Sequence, residues 1–172
     1  MSTGFSGRPV QLWLTTLARV VLGLVMVVAG GLKITDPAQA VRAVQAYQIL
    51  PSGVTHVVGY GLPMLEIALG VLLLLGLGTR VAAILSGLFM IVFICAVSSA
   101  WVRGLSIDCG CFGGGGQVGS AGKAWRYLSE ILRDLLFLGL ASWIAVFKDS
   151  MLAADRLLLG AADVNDMEDL PA

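Results

Sequence analysis

Apolar runs of bilayer length, separated by short polar breaks, leave this chain few folds to choose from. The first, residues 12–32, is long enough to cross the hydrocarbon layer at about 1.5 Å per residue. Three more follow at 55–77, 81–101 and 125–147. A segment without water around it must satisfy its backbone internally, so each run reads as a helix, and together they predict an all-α integral membrane protein, a bundle of four transmembrane helices. With 58% hydrophobic and 13% charged residues in 172, the chain is too apolar for a soluble domain of its length. Eleven basic and eleven acidic residues cancel, which removes the electrostatic basis for nucleic-acid binding. One histidine, His56, cannot supply a bis-histidine haem.

The breaks carry their own signals. Arg8 before an apolar run suggests a signal peptide, but a signal core is only about 7–15 residues, so 12–32 reads as an uncleaved crossing. Lys33 and then Asp36-Pro37 end it, with Asp36 placed to cap a new helix and Pro37 suited to its first turn. From 37 to 49, Ala38, Val41, Val44, Tyr47 and Ile49 alternate with Gln39, Arg42, Gln45 and Gln48, which predicts a short amphipathic helix at the membrane interface. Gly76-Leu77-Gly78-Thr79-Arg80 is a tight turn that makes the second and third crossings antiparallel neighbours. Residues 1–150 therefore form one transmembrane domain, and 151–172 a short surface helix with an acidic tail. Four crossings put both termini on one side. Arg8, Arg80, Lys148 and Arg156 lie there, against Lys33, Arg42, Arg103, Lys123 and Arg126 on the other, so charge alone does not orient the chain.

The long polar connection, residues 104–123, holds Asp108-Cys109-Gly110-Cys111-Phe112-Gly113. A disulfide across a single residue closes a small strained ring, so a bond between Cys109 and Cys111 would be labile and oxidising rather than a structural staple. Asp108 opposes a thiolate here, whereas Lys123 and Arg126 favour one if the loop folds back. The bland reading is a pair of inert thiols. A zinc or iron–sulfur site wants four ligands, and neither histidines nor a second cysteine pair complete one, so no metal is expected. Cys95 lies within the third apolar run and reads as a packing residue.

Five charges fall within the crossings: Arg19, Glu66, Glu130, Arg133 and Asp134. Near the bilayer centre an unpaired charge costs at least ~2.5–3.5 kcal/mol, so these residues should face inward and pair. Glu130 and Arg133 are three apart on one helix face, which leaves Asp134 for Arg19 or for water. Such a cluster either holds helices in register or forms a polar pocket for a quinone headgroup or a proton relay. Gly23, Gly30 and Gly31 give the first crossing small faces for a neighbouring helix.

Taken together, Arg19 with Gly23, Gly30 through Lys33, Pro63 with Glu66 and Gly70, Gly76 with Arg80, Cys109-Gly110-Cys111-Phe112-Gly113, and Arg133-Asp134 resemble the MauE/DoxX family of four-helix membrane proteins, its MauE-like branch above all. The resemblance implies redox work at the plasma membrane. Cys109 and Cys111 match the redox pair, and Arg19, Glu66, Arg133 and Asp134 the intramembrane polar positions that would bind a cofactor. It implies a thiol–disulfide oxidoreductase passing electrons between an exported thioredoxin-like partner and a membrane quinone, menaquinone or ubiquinone. The cysteine loop would then face outward and both termini the cytoplasm. The alternative is an accessory or scaffold subunit of a larger membrane complex without turnover of its own.

Overall fold

A computed structural model describes residues 7–110, 116–117 and 122–147. The expected surface helix and acidic tail of 151–172 lie outside them. The described chain is helical apart from one short hairpin: α1 (Gly7–Thr35), α2 (Pro37–Ala46), α3 (Ser52–Leu75), α4 (Thr79–Val102), β1 (Ile107–Asp108), β2 (Gly116–Gln117) and α5 (Lys123–Val146). Val10–Thr35, Ser52–Leu75 and Thr79–Val102 are long and apolar enough to cross a membrane. Helix α5 matches them in length, at 24 residues, but carries Lys123, Arg126, Glu130, Arg133 and Asp134. Large apolar side chains such as Leu17, Val57 and Val92 point outward from these three helices, as a lipid-facing belt requires.

Local chemistry explains the element ends. Helix α1 does not stop at Lys33; it continues to Thr35, and the Asp36 carboxylate then accepts from the Gln39 N–H at 2.9 Å to start α2. Helix α2 ends at Ala46 rather than 49, because Tyr47 caps it and Gln48 takes φ 53°. Its apolar face, Ala40, Val41, Ala43 and Ala46, is buried in the protein, with Val41 against Gly59 of α3. Between α3 and α4, Gly76 and Gly78 both adopt the left-handed conformation that the tight turn needs.

Helix α1 packs along α3, and α4 along α5. The first seam is unusually close. A Cβ at Gly70 would stand 2.8 Å from the Gly23 carbonyl oxygen, and one at Gly30 would stand 2.7 Å from that of Pro63. Gly31, also expected on such a face, meets nothing within 4 Å. The main core joins Leu22 and Met26 of α1, Leu69 and Leu73 of α3, Ala82, Ala83 and Phe89 of α4, and Ala141 and Ile144 of α5. A second core, under the hairpin, gathers Tyr47, Val97, Ala100, Ile107, Cys109 and Tyr127.

Candidate functional site

The hairpin that carries the cysteines is fastened from three sides. Gly104, at φ 74°, turns the chain out of α4, and Lys123 donates to its carbonyl at 2.8 Å. The Tyr127 hydroxyl donates to the Leu105 carbonyl at 2.8 Å and accepts from the Ile107 N–H at 3.2 Å, while its ring stacks on Trp101. Arg103 reaches back to the carbonyls of Tyr47 and Gln48, tying the end of α4 to the end of α2. Strands β1 and β2 then pair Ile107 with Gln117 and Asp108 with Gly116. The glycine-rich sequence suggests a loose loop, yet its first half is held in place.

These fastenings bury Cys109, which is 7% exposed. The Tyr47 hydroxyl lies 3.5 Å from its carbonyl oxygen. Its Sγ lies 3.8 Å from Arg133 Nη2, and one atom each of Asp108, Cys109 and Glu130 fall within 4.8 Å of one another. Arg133 is therefore a cation beside the sulfur, whereas Lys123, one of the two expected there, is engaged with Gly104. A guanidinium beside the sulfur favours its thiolate and two carboxylates oppose it, so the local charge is contested. Asp108 is partly committed elsewhere, since it accepts from the Gly110 N–H at 2.9 Å in a turn that sets Gly110 at φ 69°. Cys111 lies outside the described residues. Cys95 is exposed on α4 rather than packed inside.

Of the five charges expected within crossings, three come together. Arg133 turns to its neighbour Asp134, at 3.0 Å, rather than leaving that carboxylate for Arg19. Glu66 pairs with Lys33, both nearly inaccessible. Glu66, Arg133 and Asp134 then line one void of about 30 Å³, room for one or two waters. Arg19 is buried at 2% exposure but sits fourteen residues before Lys33, about 21 Å along α1, and does not line that void. Lys33 is the residue that sequence reasoning missed. The cap at Asp36 already implied a helix running up to it, which puts Lys33 inside the bundle and in need of a carboxylate.

A second cavity, of about 360 Å³, lies between α2, α3 and α4, with Cys109, Gly110 and Lys33 in its lining. Its remaining walls are mostly apolar, including Ala43, Leu62, Phe93 and Ala96.

Comparison with known proteins agrees with this geometry in extent. Residues 11–147 match the family described as methylamine utilisation protein MauE. A curated relative from Paracoccus denitrificans, methylamine utilization protein MauE, is 30% identical over 139 residues, covering 80% of this chain and 70% of that protein. No solved structure matches the chain.

Proposed function

We propose, from the premise that this chain belongs to the MauE family, that it is a membrane thiol–disulfide oxidoreductase working through Cys109 and Cys111. The observation that carries the reading is the placement of Cys109, buried against Arg133 where the charged cluster and the apolar cavity meet. A partner's thiolate attacks the Cys109–Cys111 bond, and the burial of Cys109 disfavours attack at its own sulfur. The partner, an exported thioredoxin-like protein, is oxidised to its disulfide as the Cys109–Cys111 bond is reduced to two thiols. Re-forming that bond releases two electrons and two protons, which a membrane quinone takes up in becoming the quinol.

This chemistry belongs on the oxidising side of the plasma membrane. The hairpin then faces outward, both termini face the cytoplasm, and α5 makes a fourth crossing. The outward Leu128, Leu132, Leu135 and Leu136 of α5 support that role, with Asp134 turned inward. Helix α2 would sit at the outer boundary, half covered by α3. A topology assay that places the hairpin in the cytoplasm would overturn this arrangement.

The burial of Cys109 also favours one competing reading, an accessory subunit of a larger complex serving methylamine utilisation, with no turnover of its own. Differential alkylation with mass spectrometry in intact membranes separates the two. Under the oxidoreductase reading, dithiothreitol opens the Cys109–Cys111 bond and added quinone restores it. Two thiols that stay reduced and indifferent to quinone, together with full function after Cys109→Ser and Cys111→Ser, point to the accessory subunit.

A further inference from the structure

We propose that the apolar cavity between α2, α3 and α4 is the docking site of the quinone ring, which enters sideways from the bilayer between α3 and α4. This rests on the oxidoreductase reading and gives it an address. The void among Glu66, Arg133 and Asp134, at about 30 Å³, holds water and no ring. The larger cavity, at about 360 Å³, falls in the range of small-molecule sites, roughly 300–1,000 Å³.

Its size has an identifiable origin. On the α4 side the wall carries a small residue, Ala96, and α2 adds Ala40 and Ala43, while Gly59 of α3 lets α2 close in at Val41. On the rim, Leu65 of α3 and Val92 of α4 are both exposed and lie within candidate membrane spans, so the mouth opens towards lipid tails. Phe89 and Phe93, their rings 4.8 Å apart, supply an aromatic wall. An acyl tail would need only such walls. Two polar features in its lining select a ring carrying carbonyls: the Cys109 segment, and the Lys33 ammonium, a buried donor tied to Glu66.

The charged cluster has a place in this arrangement. From Cys109 Sγ the contacts run to Arg133 at 3.8 Å, then to Asp134 at 3.0 Å. The water-sized void joins Asp134 to Glu66, and Glu66 binds Lys33. A polar path and an apolar cavity thus connect the same two residues, Cys109 and Lys33. Arg133 keeps its own protons and fixes the charge along this path, so the protons released on re-forming the disulfide pass first to the Glu130 carboxylate, within 4.8 Å of Cys109 Sγ.

The test uses the full chain in lipid nanodiscs with a short-tailed azido-benzoquinone, photolysis and peptide mass spectrometry. We expect label on residues 58–65 and 89–96, competed by unlabelled quinone but not by oleate. Ala96→Phe and Ala43→Phe, each filling the cavity from a different helix, abolish it, while alkylation of the outward Cys95 and the melting temperature report that the fold persists. Label on other segments, label that survives both variants in folded protein, or equal competition by oleate overturns the site. If the label falls as expected while the cysteines stay reduced in quinone, the docking site stands and the oxidoreductase reading fails.

Discussion

Two of the seams of helix α3 were built to opposite ends. Towards α1 it is closed: Gly70 meets Gly23, Pro63 meets Gly30, and the Lys33–Glu66 pair is sealed beside that contact. Towards α4 it parts below the tight turn, leaving a cavity of about 360 Å³. Small residues occur on both sides. Glycine opposite glycine or a carbonyl lets two backbones approach, whereas Ala96, in the wall of the larger cavity, leaves the gap between α3 and α4 unfilled. A small residue in a membrane helix therefore signals contact only when its partner helix is near, and otherwise signals room for something else.

Charge is the sharpest way to break the closed seam. Glu66→Leu strands the Lys33 ammonium inside the bundle, and removing one partner of a buried pair costs about 3–5 kcal/mol. The expected result is loss of most folded protein from detergent extracts, with substantial recovery in Lys33→Met/Glu66→Leu. Equal loss in the double variant would mean that Glu66 matters for its packing and not for its partner. Next in size is Gly70→Ala, whose new Cβ would lie 2.7 Å from Val27 Cγ2 and 2.8 Å from the Gly23 oxygen. Backbone atoms cannot swing aside, so about 1–3 kcal/mol of destabilisation should appear in thermal unfolding. Gly61→Ala, on the same helix with nothing within 4 Å, serves as the contrast and should be neutral or stabilising by up to about 1 kcal/mol. Similar losses at both positions would erase the distinction between seam and surface.

These partners explain what could be read before the fold was known. The helix positions were legible because an apolar run, the Asp36 cap and the glycine turn at 76–78 are local signals, each decided within a few residues. The cysteine pair and the need of Glu66 for a partner were equally plain. What escaped was long-range. Lys33 and Glu66 are 33 residues apart, and Lys33 looked like a terminal charge until α1 was seen to run past it. Cys109 looked loop-borne because glycines surround it, but Tyr47 and Tyr127, 62 and 20 residues from the groups they hold, pull the hairpin into the core. Pairing Arg133 with Glu130 followed the helical spacing rule and overlooked its neighbour Asp134. A cavity has no sequence signature at all, since it is the volume that Ala40, Ala43 and Ala96 leave unfilled.

The smallest effect tests the open seam, and its sign matters more than its size. Ala96 is partly buried in the wall of the larger cavity, so Ala96→Leu adds apolar volume where there is space to receive it. Filling such a space commonly stabilises by about 0.5–2 kcal/mol, and the low end applies here because the mouth is open to lipid. A modest rise in melting temperature is expected, accompanied by weaker quinone labelling, since the leucine occupies part of the ring's volume. A fall comparable to that of Gly70→Ala would show that α3 and α4 close on each other in the bilayer, leaving no gap for a ligand. Stability and ligand access are thus opposed at Ala96 and aligned at Gly70, where a larger residue forces apart a seam on which the whole bundle depends.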